Sequence, residues 1–221
     1  MTQLPASDGR RVRGDLTRRR AARAAADIAT THGLDSISVG SLAQVTGLSK
    51  SGILTVFGTR EAIQLAAVAE ARQVYLDTVI APAWRKPPGE VRLRALLDAW
   101  LAYLLDQVFP GGCFISATSV EYGHRDGPVA DAVRELKAEW LHLLEEQLAV
   151  AGSSHPEDDA FRIDALLAMG NARRELFNDD TELDRARALA LEVVKQRSEP
   201  SPTGHDAREA VRVRRSARER S

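Results

Sequence analysis

Cysteine is almost absent from this sequence. Its one cysteine, Cys113, excludes an internal disulfide and any Cys-rich zinc site. Long apolar runs are missing too. No stretch free of Asp, Glu, Lys and Arg exceeds 14 residues, and the two that reach it are 36–49 and 107–120. A spanning helix needs about 18 apolar residues or more, so no membrane partner is expected. The opening MTQLPASDGRRVRG lacks an apolar signal region, and a cytoplasmic protein is the expectation. Alternating β-branched or aromatic runs with hairpin turns do not occur. Neither a phosphate-binding glycine loop nor a nucleophile elbow is present. What remains is ordinary for a globular chain. The 221 residues, 44% apolar and 28% charged, suffice for one or two domains with a buried core and exclude a mostly disordered chain.

The net charge of −1 conceals a division along the chain. Residues 1–60 hold nine Arg and Lys against four Asp and Glu, whereas residues 61–198 hold 15 against 23. A basic end on an acidic body suggests that only the first part faces a polyanion.

Helical segments are plentiful and well punctuated. The first is predicted from about Thr17 to His32, with Thr17 as N-cap and Gly33 as a left-handed stop. Short helices follow Ser38, over Val39–Thr46, and Ser49, ending near Phe57–Gly58. Thr59 can cap a longer helix through about Pro82. Helix 90–108 carries Leu93, Leu96, Leu97, Trp100, Leu101, Leu104 and Leu105 at three- and four-residue spacing, which makes one face apolar. Segments 114–123, 128–150, 157–177 and 181–197 complete an all-α plan of about nine helices. Residues 1–16 read as a disordered basic arm and 199–221 as a disordered Arg-rich tail. The domain border is placed within the fourth helix, between a head at 17–62 and a body at 63–198.

The most informative stretch is SVGSLAQVTGLSKSGILTVFG, residues 38–58. Leu42, Val45, Leu48, Ile53, Leu54 and Phe57 are positioned as buried contacts, Ala43 permits close helix approach, and Gly47 suits a turn with positive φ. Ser49 can cap the next helix and leave Lys50, Ser51, Gly52 and Thr55 on its outer side. A helix-turn-helix presents short polar side chains and a cation to the major groove in this way; a plain helical hairpin is the alternative. Arg18, Arg19, Arg20 and Arg23 cluster on the first helix, and Arg60 opens the fourth as a further phosphate contact.

Residues 17–65, with THGLDSISVGSLAQVTGLSKSGILTVFGTREAIQLA at their heart, resemble the DNA-binding domain of TetR-family transcriptional regulators. Residues 111–129, GGCFISATSVEYGHRDGPV, resemble the ligand-domain segment of one subgroup. The resemblance implies an N-terminal three-helix DNA-binding domain, a C-terminal ligand and dimerisation bundle, a palindromic operator and release by a small, largely apolar effector. It implies no cofactor and no enzymatic activity. By the same likeness Lys50, Ser51 and Thr55 approach base edges, while Ser38, Ser49 and Arg60 hold phosphates. The sequence departs from the family where Tyr and His usually precede the Phe, having Thr55 and Val56 instead. Ala21, Ala22 and Ala29 replace larger residues of the first helix. Each forgoes about 1.5–3 kcal/mol of burial, so a thinly packed, mobile head is expected.

In the body, Trp100, Tyr103, Cys113, Phe114, Tyr122, Trp140 and Met169 are ligand-pocket candidates, although an aromatic stripe also builds ordinary core. Cys113, after two glycines at a helix start, reads either as a reactive thiol or as a buried inert one. Ala160, Ile163, Leu167 and Ala168, with Ala186, Ala190, Val193 and Val194, are expected at a homodimer interface, unless these faces pack within one subunit. Two rival readings stand beside this one. Two Glu-x-x-His pairs, Glu121–His124 and Glu139–His142, match the pattern of di-iron bundles. His142 nevertheless lies 14 residues beyond Pro128, about 21 Å along its helix, and so is offset from His124. The other rival is a helical interaction module that does not bind DNA.

Overall fold

A computed structural model describes residues 6–195 of the chain, with side chains from residue 14 onward. Nine helices follow one another in this range, and no strand occurs among the described residues. They are α1 (Ala6–His32), α2 (Val39–Thr46), α3 (Lys50–Phe57), α4 (Arg60–Tyr75), α5 (Glu90–Leu105), α6 (Phe114–Tyr122), α7 (Pro128–Val150), α8 (Pro156–Phe177) and α9 (Thr181–Lys195). The expected all-α architecture is present. Helix α1 begins at Ala6, where the sequence predicts an irregular arm through residue 16. The Arg-rich tail at 199–221 lies outside the described residues.

The helix ends follow their chemistry. Ser38 forms a capping box with Ser41, and the Ser49 and Thr59 hydroxyls accept hydrogen bonds from the Gly52 and Ala62 amides. Gly47 turns the chain between α2 and α3 at φ +70°, a left-handed conformation costly for residues with a β-carbon. Helix α4 does not stop at Tyr75. It passes through a π-turn at Leu76–Ile80 into a last turn at Ala81–Trp84. Pro82 explains the widening: it has no amide to offer the Thr78 carbonyl, and its ring crowds that carbonyl, so the turn opens. The Ala81 amide instead reaches back to Leu76.

In the head, α1–α3 and the start of α4 close over Leu34, Ile37, Leu42, Ile53 and Ile63, all fully buried. Ala21, Ala25, Ala26 and Ala29 form the buried face of α1, so this helix contributes little side-chain volume. Two of the expected core residues are not in it. Val45 and Leu54 are 62% and 48% exposed because each lies on the outward side of its short helix. The head core continues without a break into the body, where Leu93, Leu96, Leu97, Trp100, Tyr103 and Leu104 line one face of α5. At the far end α8 and α9 lie very close together. A β-carbon on Gly170 would overlap Ala186.

Candidate functional site

The outward face of α3 is formed by Lys50, Ser51, Leu54 and Thr55, all exposed. Ser49 is committed to capping and also contacts the Ser51 hydroxyl at 3.1 Å. The Thr55 hydroxyl donates to the Ser51 carbonyl at 2.8 Å, which leaves its methyl group and oxygen lone pairs outward. Gly52 lies against the Ser49 oxygen, where an added β-carbon would stand 3.1 Å away. Leu54 is the residue that sequence reasoning misplaced. On this face it offers an apolar surface of the kind that meets a thymine methyl. Spacing carries the signal, since 50, 51, 54 and 55 fall on one side of a helix.

Two expected phosphate contacts have partners inside the chain. Arg18 donates to the Val56 carbonyl at 2.8 Å and stacks on Phe57, tying α1 to the end of α3. Arg60 donates to the Ile37 carbonyl at 2.8 Å and to the backbone and side chain of Asp35. Both guanidiniums hold the head together in this conformation, and both remain exposed. Ser38 is likewise spent on its capping box.

The body contains a small, partly open cavity of about 50 Å³ between α4, α6 and α7. Its walls are Leu76 and Ile80 of the α4 π-turn, Ile115 of α6, Leu136 and Leu143 of α7, and the rings of Tyr75 and Trp140. Arg72 and Glu139 stand at its edge, joined by a 2.7 Å hydrogen-bonded ion pair. The Glu139 carboxylate beside it raises the Arg72 pKa. An open groove of about 320 Å³ adjoins the cavity and shares Arg72, Leu136 and Glu139 with it, adding Glu135. Tyr75 packs edge-on against Trp140 and Tyr103, with centroids 5.6 and 5.5 Å away. Burial pushes the Tyr75 hydroxyl well up, so it stays protonated.

Of the seven predicted pocket residues, only Trp140 lines this cavity. Tyr103, Cys113 and Phe114 are buried behind it as core, and Trp100 belongs to the apolar face of α5. The Cys113 thiol is raised by burial, which fits the inert reading and not a stabilised thiolate. Tyr122 lies elsewhere, at the seam between head and body. Met169 is 60% exposed on α8, at the rim of a groove it shares with Ala186 and Leu189 of α9.

That seam is polar and dense. The Glu121 carboxylate of α6 accepts from the Leu34 and Asp35 amides at 2.7 and 2.8 Å, at the start of a 3-10 turn (Leu34–Ser36). Asp35 in turn meets Arg125 at 2.5 Å and the Tyr122 hydroxyl at 3.3 Å. The Arg125 guanidinium lowers the Asp35 pKa, and burial with the Asp35 charge pushes Tyr122 up to about 12. From α4, Gln64 donates to the Leu34 carbonyl at 3.0 Å. A second seam joins α1 to the loop before α6. There Arg23 donates to the Val108 carbonyl and stacks on Phe109, and the Gly111 amide meets the Thr30 hydroxyl at 3.2 Å. Helices α4 and α6 thus each touch the cavity along one stretch and the head along another.

The residues predicted at the dimer interface are mostly interior. Ala160, Ile163, Leu167, Ala186, Ala190 and Val194 are buried within one chain, because the small side chains that suit close helix approach bring α8 and α9 together. Ala168 and Val193 are half-buried. The apolar surface left outside is another stripe of α8: Phe161, 72% exposed, with Met169 and Leu176, flanked by Leu189 of α9. The di-iron set is not assembled. Glu121 is held at the head seam and Glu139 by Arg72, while His142 sits outward near Glu146 at 3.3 Å. Among the described residues no group of three or more His, Cys, Asp and Glu is placed to hold a metal ion. No helix among them is long and apolar enough to cross a membrane.

The chain thus joins a helix-turn-helix head to a helical body with a cavity between α4, α6 and α7. Residues 89–190 match the family model described as "Tetracyclin repressor-like, C-terminal domain", so the body carries a TetR C-terminal domain. The family resembled by residues 17–65 is therefore the family found, separately, in the body. The fold agrees. A TetR transcriptional regulator from Chloroflexus aurantiacus superposes with a TM-score of 0.75 at 21% identity, covering 84% of this chain and 97% of that one. A TetR-family regulator from Streptomyces coelicolor gives 0.72 at 20% identity, over 83% and 96%. AibR, solved in complex with isovaleryl coenzyme A and operator DNA, gives 0.65 at 15% identity, over 79% and 98%. No curated protein matches the sequence.

Proposed function

We propose that this chain is a ligand-responsive transcriptional regulator: a homodimeric repressor that binds a palindromic operator and is released by a small, largely apolar effector. The outward face of α3 carries the reading. Lys50, Ser51, Leu54 and Thr55 form a short ridge of cation, hydroxyls and methyl groups on a helix held by buried Ile53 and Phe57. Such a ridge fits a major groove. The structural relative AibR, solved with operator DNA and an acyl-coenzyme A, supports both halves of the reading.

In this reading residues 17–62 bind DNA and residues 63–198 bind the effector and the second copy. The stripe of Phe161, Met169 and Leu176 forms the twofold contact, replacing the interior residues expected from sequence. An effector in the cavity presses on Leu76 and Ile80 of α4 and on Ile115 of α6, and both helices move the turn at Leu34–Asp35. The effector must bind the displaced conformer more tightly, and about 5.5 kcal/mol of difference takes the balance from 1:99 to 99:1.

Lys50→Ala tests the reading. It should weaken specific DNA binding by about 1–3 kcal/mol, roughly five- to 150-fold, in a mobility-shift assay. The dimer mass should not change. Unchanged affinity removes α3 from the interface.

A further inference from the structure

The composition of α3 limits how its outward face can read a base pair. The helix, KSGILTVF, contains no Arg, Asn, Gln, Asp, Glu or His. Side chains with paired or directed donors and acceptors of that kind tell guanine, adenine and cytosine apart in the major groove. Lys50 is the one cation of the helix, a point charge on a flexible stem. That stem runs back beside Gly40 of α2, where an added β-carbon would stand 4.0 Å from its Cε. The hydroxyls discriminate weakly, because Ser and Thr bond to donors and acceptors alike. Arg18 and Arg60 do not supply the missing fork from outside the helix while the Val56 and Ile37 carbonyls hold them at 2.8 Å.

What the face does carry is methyl groups. Leu54 is 48% exposed, although its neighbours Ile53 and Phe57 are buried and anchor the helix. Beside it, the Thr55 hydroxyl donates to the Ser51 carbonyl at 2.8 Å. That bond also fixes the rotamer of a β-branched side chain, so the Thr55 methyl stands in one place. Leu54 and Thr55 therefore present a fixed apolar surface on a helix that has little else with which to choose between bases.

We propose that Leu54 and Thr55 determine the specificity of the DNA contact by selecting C5-methyl groups: each half-site presents thymine to them, and 5-methylcytosine is accepted there where cytosine is not. The thymine methyl projects into the major groove, and uracil and cytosine have only hydrogen at that position. Burying one methyl against an apolar side chain is worth about fourfold in affinity. An unmethylated cytosine loses that gain and also sets its amino group against Leu54, which strips water from a donor and returns no acceptor. Methylation at C5 of cytosine thus becomes a mark that this head reads. The inference rests on the regulator reading and deepens it by naming the chemical group that the head recognises. Sites are selected before they are altered, so the two can fail separately.

Sites selected from random duplex DNA by the full chain are resynthesised with uracil in place of each thymine in turn. Cytosine and 5-methylcytosine, each paired with guanine, are then placed at the sensitive positions, and mobility shifts at one salt concentration give the affinities. Uracil at a contacted position should weaken binding about fourfold in one half-site and roughly fifteenfold in both. 5-Methylcytosine should bind about fourfold more tightly than cytosine at the same position. Thr55→Ser keeps the hydroxyl and loses the methyl, and Leu54→Ala removes the larger contact. Each should shrink the uracil penalty to less than about twofold at the base it touches. Leu54→Met keeps an apolar contact and should retain the penalty. Both positions are exposed, so the three variants should melt with the wild type. Selected sites that tolerate uracil at every thymine overturn the inference and leave the regulator reading standing. A penalty that survives Leu54→Ala and Thr55→Ser undiminished does the same. Enrichment of no sequence at all overturns both.

Discussion

Asp35 and Glu121 decide how firmly the head is held. Glu121 receives two backbone amides that begin a 3-10 turn, a charge-assisted arrangement on a half-buried carboxylate. Glu121→Gln should lower unfolding free energy by about 1.5–3 kcal/mol in urea titrations, the range for hydrogen bonds to charged groups. An unchanged midpoint would show that solvent replaces the carboxylate without cost. Asp35 gives a pH signature. Its folded pKa lies below the ordinary value because of Arg125, so its contribution is complete above about pH 4 and is lost as pH falls through the folded pKa. Thermal melts of the wild type should therefore drop more steeply below about pH 4 than those of Asp35→Asn. Parallel curves would show that Asp35 titrates alike in both states. The sequence marks Glu121 only as part of a Glu-x-x-His pair and hides its role at the seam, because its partners are backbone amides 87 and 86 residues away. For the same reason Arg18 and Arg60 look like free phosphate contacts until their carbonyl partners are seen.

At the scale of elements, α1 is the weakly packed member. Its buried side is a run of alanines, whereas α5 buries leucines, a tryptophan and a tyrosine. Amide exchange should be faster in residues 17–58 than in 90–150. Equal protection would mean that close backbone packing compensates for the small side chains. The helices themselves are legible in the sequence because caps and glycine stops act locally: Ser38, Gly47, Ser49 and Thr59 each stand where the structure uses them. The cavity is much less legible. Arg72, Tyr75, Leu76 and Ile80 share one side of α4, but only contact with α6 and α7 turns that side into a wall. Aromatic residues such as Trp100 and Tyr103 have the same spacing and are core, since their neighbours leave no space beside them.

For the whole molecule, the proposed function turns on how two heads are presented together. Phe161, Met169 and Leu176 leave an exposed apolar stripe on α8, and in the proposed function a second copy covers it. Met169→Glu should convert the dimer to a monomer in sedimentation experiments, whereas Ala190→Ser, inside the subunit, should not. A dimer that survives Met169→Glu places the interface elsewhere. Small residues in α8 and α9 announce a close helix pair in the sequence, but the pair they form lies within one chain.

The most direct measurement is selection of bound sites from random duplex DNA, followed by the stoichiometry and salt dependence of the complex. The account predicts a twofold-symmetric site with half-sites about one DNA turn (34–36 Å) apart, bound by paired chains. Its affinity should fall steeply with salt as phosphate-bound counterions are released. A protein that remains a single chain and enriches no sequence, or that binds a lone half-site with no dependence on salt, contradicts it.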